Sequence, residues 1–286
     1  MNYSLMKDLE YSKEVLHLSD DNLSELIGVS RSTYNRWKKG TAFPGKQALE
    51  RVYSAIFSRG IHLNRIYEDF YLSLENSDSK LLFHGSKMGL TGEPSIAFSA
   101  DKKDFGKGFY TGESVKQAIS FVSGYKEAVL YFFILENIHK IKTVEFDVSI
   151  EWMILVAYFR GKIDEYRDSK ALKKALKRIE GVDLIIAPIA DNTMYSIINE
   201  FIEGSITDEQ CINCLSANRL GKQYVFLNDA VMNNHLKPLR QAYLCEEKKR
   251  YYETEKIEET SIGKTKVILA KRQFAGVGKY IEELLI

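Results

Sequence analysis

The run Asp104-Phe105-Gly106-Lys107-Gly108-Phe109-Tyr110-Thr111-Gly112 gathers three glycines around two aromatic rings and a lysine. Glycine loses more backbone entropy on folding than other residues, so such a cluster marks chain that bends tightly or lies close to a ligand. Period-2 alternation sends Phe109 and Tyr110 to opposite faces, and a buried Phe109 leaves the Tyr110 ring facing a cleft. The following residues, Glu113 to Val122, space their apolar side chains as a helix does. Upstream, the apolar run Lys80-Leu81-Leu82-Phe83 ends in His84-Gly85-Ser86. Imidazole, bare backbone and an aromatic face suit the holding of hydroxyls, amides and flat rings. Each also has a structural reading, as a tight turn before a core helix or a histidine closing a strand.

Further motifs follow in order. Asp183-Leu184-Ile185-Ile186-Ala187-Pro188-Ile189-Ala190-Asp191-Asn192 leads to Met194, Tyr195 and Ile197, then to Phe201 with Gly204-Ser205-Ile206. Gly221-Lys222-Gln223-Tyr224-Val225-Phe226 precedes the helix-like Asp229-Ala230-Val231. With the His-Gly and Gly-Lys-Gly-Phe-Tyr runs, this ordered set resembles the ADP-ribosyltransferase fold over roughly residues 80 to 240. It follows a bacterial branch of that fold long known as a domain of unknown function. The resemblance implies NAD as co-substrate with no metal. It implies that His84 bonds the adenosine ribose, that the Gly85 backbone holds the nicotinamide amide, and that Tyr110 stacks on the nicotinamide ring. Ser86, Ser99 and Gly108 belong to the same implied NAD site. Gln223 stands where many relatives carry a glutamate, and an amide has no charge and cannot act as a base. The implied reaction is therefore single transfer rather than chain elongation. Asp191 either supplies the missing carboxylate or makes an Asx turn before a helix starting near Thr193. Asp104 and Lys107 either shape the mouth of the cleft or, for Lys107, stand as an exposed loop lysine. Arg160 is expected to end a core helix and to pair with a carboxylate.

The elements that must position these residues read as α+β. Strands are expected at Leu81 to His84, Ile96 to Ser99, Val129 to Leu135, Lys142 to Asp147, Leu184 to Ala187 and Gln223 to Phe226, the last of the core. Helices are expected at Glu151 to Arg160, Ser169 to Ile179 and Tyr195 to Ile202. Strands and helices mix without a repeated strand-helix-strand alternation, which favours α+β over a doubly wound sheet. The resemblance makes this a mixed split-sheet domain over residues 76–245, with a small all-helical domain at 1–75 and an extension of unassigned role at 246–286. In that extension Glu246 to Arg250 reads as a solvated helix face, Lys266 to Ala270 as a short strand, and Gly278 to Leu285 as a helix.

Residues Leu18 to Gly40 resemble the helix-turn-helix of phage-repressor-type DNA-binding domains. Leu23 and Ile27 lie four apart on one helix face, Gly28 supplies the turn, Val29 plugs the angle, and Ser30 caps the next helix. That helix exposes Arg31, Ser32, Asn35 and Arg36, types suited to phosphate and base-edge contacts, while Tyr34 or Trp37 packs inward. A helix-turn-helix used only for packing or protein contact is the other reading.

Composition narrows the classes. The 286 residues, 45% hydrophobic and 28% charged, suffice for a large core in one or two domains. Four prolines and no low-complexity run speak against a long disordered linker. A net charge of +1 exerts no global pull toward nucleic acid or anionic membrane, so any such binding must come from a local patch. The start at Met1-Asn2-Tyr3 carries no signal-peptide pattern, no apolar run spans a bilayer, and three cysteines fit a reducing cytoplasm. Cys211 and Cys214 have metal-like spacing, but no second pair completes a site. The expectation is a cytoplasmic mono-ADP-ribosyltransferase joined to a DNA-binding module, acting as a bacterial toxin or phage-defence effector. Its expected partners are NAD, DNA, an acceptor protein or nucleic acid, a neutralising antitoxin and a second copy of itself, with no membrane. The alternative is a transcription regulator whose second domain senses NAD or ADP-ribose without turnover.

Overall fold

The computed structural model describes residues 3–217 and 221–285. Met1 and Asn2, at the head of the expected helical domain, and Ile286, at the end of the expected extension, lie outside the described residues. The architecture is α+β, with a helical run preceding the strands. The chain divides into two compact units, each built from three segments. The first holds Met1–Gly92, Ser114–Leu135 and Lys237–Glu255; the second holds Glu93–Glu113, Glu136–Leu236 and Lys256–Ile286. The expected boundaries at 75/76 and 245/246 do not separate compact units. The helical run shares the first unit with strands from both halves of the chain.

Within the first unit, α1 (Leu5–Val15), α2 (Asp20–Leu26), α3 (Arg31–Lys38), α4 (Lys46–Phe57) and α5 (Leu63–Leu72) precede strand β1 (Ser79–Ser86). The Ser19 hydroxyl accepts from Asn22 N–H and the Ser30 hydroxyl from Thr33 N–H, so both helices of the expected pair begin on a side-chain cap. Gly28 takes φ 69°, the left-handed conformation that ends α2 and turns the chain toward α3. Leu23, Ile27, Tyr34 and Trp37 are buried in one cluster with Val52, Tyr53 and Ile56 of α4. Both aromatics of α3 face inward.

The strands of this unit lie in the order β1, β3 (Val129–Glu136), β7 (Leu236–Tyr243). β7 has no counterpart among the expected strands, because Pro238 cannot donate to a ladder; its place at the edge of the sheet accommodates that proline. Helix α6 (Val115–Ser120) buries Val115, Ala118 and Ile119 against Leu81, Phe83, Leu130 and Phe132. The helices are tied to β7 by a buried ion pair. Asp8 of α1 is fully buried, takes Arg240 of β7 as its cation, and accepts from the Tyr53 hydroxyl at 2.7 Å. The Arg240 guanidinium also lies over the Tyr67 ring, 3.8 Å from its centroid.

Glu246 to Arg250 is not a solvated face. Lys248 and Lys249 are buried, Lys248 Nζ donates to Tyr243 O at 3.1 Å, and burial lowers the Lys248 pKa below the ordinary lysine value. They open the long helix α12 (Glu246–Gln273), which also absorbs Lys266 to Ala270, expected as a strand. In the second unit Val267 and Ala270 of this helix are buried in the core. Branched residues in a short window suggest a strand, and packing of one helical face overrides that preference.

The second unit orders its strands β4 (Thr143–Glu145), β5 (Leu184–Pro188), β6 (Lys222–Phe226), β2 (Phe109–Gly112). β4 and β5 are parallel, while β5–β6 and β6–β2 are antiparallel. Helix α7 (Ile150–Phe159) is capped by Ser149 and is buried throughout Trp152 to Ala157, as an all-round apolar helix must be. Helices α8 (Lys170–Ile179), α9 (Asn192–Ile202), α10 (Asp208–Ser216) and α13 (Ile281–Leu285) pack into the same core, and α11 (Asp229–His235) follows β6. Ile96 to Ser99, expected as a strand, forms a 3-10 turn at Ile96–Phe98. The Ser95 hydroxyl accepts from Ala97 N–H and Asp229 accepts from Ile96 N–H at 2.8 Å, so side chains satisfy backbone that a ladder would otherwise hold.

Replacing Arg240 with methionine strands a buried carboxylate. The expected loss is about 3–5 kcal/mol of stability, the usual result of breaking a buried pair. In urea denaturation the Asp8→Leu/Arg240→Met double variant should recover most of it, because both charges are then gone. A double variant no more stable than Arg240→Met would show that the pair is not what binds α1 to β7.

Candidate functional site

The register of β2, β6 and β5 decides which side chains share a face. Tyr110 pairs with Val225 and Gly112 with Gln223, so Tyr110, Val225 and Gln223 point to one side of the sheet. Gln223 is flanked across the sheet by Gly112 on β2 and Ala187 on β5. Both neighbours are small, so its amide can reach along the sheet surface. Gly108 lies on the same face. A Cβ there would stand 2.6 Å from Val225 Cγ1 and 3.1 Å from Phe226 O, so glycine is a steric requirement of β2 against β6.

A buried carboxylate organises the polar groups on this face. Asp104 Oδ1 accepts from Arg160 Nε at 2.9 Å and pairs with its Nη2. Asp104 Oδ2 accepts from Gln223 Nε2 at 2.8 Å and from Ala190 N–H at 3.3 Å. Gln223 Nε2 also donates to Pro188 O at 2.9 Å, and Arg160 Nη2 to Ala190 O at 2.7 Å. The two partners of the Gln223 nitrogen are both pure acceptors, which fixes the orientation of the amide. Arg160 caps the C-terminus of α7, as expected of a helix-ending arginine paired with a carboxylate, and its guanidinium covers the Tyr195 ring at 3.9 Å from the centroid. In the sequence Tyr195 stands only as part of a motif. Its role under Arg160 has no sequence signal beyond an aromatic residue in the first turn of a helix.

Tyr110 is anchored at the edge of this cluster. Its hydroxyl donates to Gly106 O at 2.8 Å and accepts from Phe105 N–H at 3.1 Å. Burial raises its pKa well above the ordinary tyrosine value, the Phe105 N–H lowers it, and the nearby Asp104 charge raises it further. The hydroxyl therefore stays a donor through the neutral range. Alternation anticipates one buried ring and one facing a cleft. Phe109 is buried, but Tyr110 is also largely covered, packed against the second unit's core with the Lys103 ammonium 4.7 Å from its ring centroid. Core helices cover this face of the sheet, which a single-strand reading cannot see.

The other expected residues fall as follows. Asp191 is the N-cap of α9, accepting from the N–H groups of Thr193 and Met194 at 2.9 Å each, which is the Asx-turn alternative. Lys107 is exposed and pairs with Asp101 at 3.2 Å. Ser99 ends the 3-10 turn, half-buried, with its hydroxyl 3.4 Å from Ala100 O. His84, Gly85 and Ser86 close β1 in the first unit; His84 is half-buried, its ring 6.4 Å from that of Tyr131. A Cβ on Gly85 would lie 2.3 Å from Ala118 O, so the backbone of α6 itself demands glycine there. Cys211 and Cys214 are buried in the second unit's core, where burial raises both thiol pKa values. Among the described residues no cluster of three His, Cys, Asp or Glu could hold a metal, and no helix is long and apolar enough to cross a membrane.

On the helical run, Ser32 and Arg36 are exposed and Asn35 is half-buried. Arg31 is otherwise engaged, its Nη2 lying 3.1 Å from Asp20 and its Nε 3.3 Å from Asp21. Those acids open α2, so the first arginine of α3 is partly neutralised by the preceding helix.

A family model described as "Protein of unknown function (DUF3990)" matches residues 81–237. The match spans more than half the chain, and the chain belongs to that family. It takes in every expected NAD-site residue and excludes the N-terminal helical run. Comparison with curated proteins and with solved structures gave no match.

Gly85→Ala should destabilise the protein by about 1–3 kcal/mol, the usual penalty of forcing extra volume into packed backbone. A urea midpoint equal to wild type would show that α6 yields easily and that glycine stands at 85 for another reason.

Proposed function

We propose that this chain is an NAD-dependent mono-ADP-ribosyltransferase carrying a DNA-binding helix-turn-helix module, in the manner of a cytoplasmic bacterial toxin or phage-defence effector. One observation carries the reading. Gln223 meets Tyr110 and Asp104, more than a hundred residues earlier in sequence, on one face of the β2–β6 ladder; the family resemblance puts Tyr110 on the nicotinamide ring and Gln223 where many relatives carry a glutamate that holds the nicotinamide ribose. The Tyr110 ring already attracts the Lys103 ammonium, and the same π-face attraction suits a pyridinium ring. In the reaction the bond between nicotinamide and ribose C1′ breaks, and its electron pair leaves with nicotinamide. A nucleophile of the acceptor macromolecule bonds C1′ and releases its proton to solvent. The site's task is to position and to stabilise an oxocarbenium-like state, for which an amide oxygen facing a ribose hydroxyl serves without acting as a base.

A second reading has a specific observation behind it. Both amide hydrogens of Gln223 are held by Asp104 and Pro188, and Tyr110 is largely covered. Those features suit a regulator that binds NAD or ADP-ribose as a signal without turnover. Labelled NAD separates the two. Transfer predicts nicotinamide release and label on an acceptor, whereas binding without release across candidate acceptors identifies the sensor.

In the same assay Tyr110→Ala should cost about 1–3 kcal/mol of NAD binding, as aromatic truncations at binding hot spots do. His84→Ala should cost roughly 0.5–1.5 kcal/mol, one hydrogen bond. Unchanged NAD affinity in Tyr110→Ala sinks the assignment.

For the DNA module, Arg36→Ala should weaken duplex binding and reduce the salt slope by about 1, as loss of one phosphate contact does. Arg31→Ala should act less, because Asp20 and Asp21 already share its charge. Absence of binding to any genomic fragment pool at low salt would make the module a protein-contact surface.

A further inference from the structure

We infer that Asp104 is the positioning residue that dictates an amide at position 223 and aims its oxygen at the ligand, so that Gln223 is a matched partner of Asp104 rather than a degenerate glutamate. The inference deepens the transferase reading and rests on it.

The argument begins with the acceptors. Around the Gln223 nitrogen stand a carboxylate oxygen at 2.8 Å and a backbone carbonyl at 2.9 Å. Only a group with two hydrogens satisfies both, and a primary amide has that number. An ionised glutamate would bring a second carboxylate against Asp104 and leave the Pro188 carbonyl without its donor. Two like charges at that distance cannot both persist comfortably, so one of them would hold a proton. Asp104 cannot move to relieve this, because Arg160 holds its other oxygen and the Ala190 N–H bonds the same one.

With both hydrogens taken, the amide oxygen of Gln223 is its one group outside these bonds. Its direction is set by three heavy-atom positions and not by a free torsion. The N–H bond to a carboxylate also polarises the amide, which makes that oxygen a stronger acceptor. Asp104 thereby lends negative character to the position where a glutamate would carry it, without exposing a charge. Gln223 is buried, and its register neighbours across the sheet, Gly112 and Ala187, are both small.

The test uses the whole chain and three variants: Asp104→Asn, Gln223→Glu and their combination. In Asp104→Asn/Gln223→Glu, the asparagine nitrogen can donate to the new carboxylate while its oxygen still accepts from Arg160. The ionisable groups facing position 223 are Asp104, Arg160 beyond it, Tyr110 on the neighbouring strand and Tyr195 under the guanidinium. Nicotinamide release at pH 8 should fall at least about tenfold in Gln223→Glu, with the loss in kcat rather than in NAD affinity. The double variant should recover at least about fivefold, a coupling typical of residues in direct contact. Activity of Gln223→Glu should rise as pH falls, because a protonated glutamic acid again donates to Asp104; wild type should lack that ionisation. Independently of any NAD chemistry, carbon-13 NMR of the labelled, ligand-free Gln223→Glu protein should find the introduced carboxyl titrating above the ordinary glutamate range. In the double variant the same carboxyl should titrate lower.

Turnover by Gln223→Glu equal to or above wild type overturns the inference, as does an introduced carboxyl that titrates normally beside Asp104. Additive losses in the two single variants would also overturn it. If no version of the chain releases nicotinamide, the transferase reading falls; the carboxyl titration and NAD affinity of the same variants then judge Asp104 by themselves.

Discussion

A carboxylate removed from water must be met by donors on every side, and Asp104 imposes that condition on the second unit. The three residues that donate to it come from the end of α7, from the segment between β5 and α9, and from β6. Loss of any one leaves a buried charge under-coordinated, which is more damaging than the pair is stabilising. The condition therefore restricts sequence at distant positions together. It calls for a cation at the end of α7, an amide on β6, and a backbone N–H aimed inward just after Pro188. The Tyr195 ring beneath Arg160 completes the enclosure from α9.

The first unit buries another carboxylate, Asp8, whose Oδ2 takes both of its hydrogen bonds. Asp8, Tyr53 and Arg240 place an anion, a hydroxyl and a cation where α1, α4 and β7 meet. This arrangement makes the helical run part of a unit that also contains strands β1, β3 and β7. A helical run packed this way is not an appendage on a linker. Its core also takes in Tyr243 and Cys245, from the segment that follows β6 and α11 in sequence. The exposed residues of α3 are Ser32, Arg36 and Lys38, with Lys38 paired to Glu10 and Asp20 and the charge of Arg31 shared by acids of α2.

Glycine at two motif positions has a packing cause that stands beside any functional one. Gly85 yields to the Ala118 carbonyl and Gly108 to Val225 and the Phe226 carbonyl. A motif glycine next to a ligand-type residue is easily read as backbone offered to that ligand. In both places a neighbouring backbone or side chain already occupies the space a Cβ would need, so the glycine is explained before any ligand is invoked.

Local physics made much of this protein legible in its sequence. Alternation and apolar runs located β1, β3, β5 and β6, and helical patterning located α7 and α8, with a serine cap as well for α3, because those signals depend on neighbours three or four residues away at most. Gly28 and Ser30 declared the turn before α3 for the same reason. The failures share one cause, which is that the deciding partner was distant. Ile96 to Ser99 became a turn because Asp229 supplied the acceptor, Lys266 to Ala270 stayed helical because the second unit's core took Val267 and Ala270, and Pro238 was tolerated because its strand lay at an edge. At the candidate site, the glycine-bounded run drew attention to Tyr110, and the resemblance to the ADP-ribosyltransferase fold pointed to Gln223. Only the tertiary structure decided that Asp104 holds Gln223 by its nitrogen, that Arg160 answers Asp104, and that Tyr110 is largely covered, since strand register and helix packing bring those groups within hydrogen-bonding distance and no local pattern encodes them.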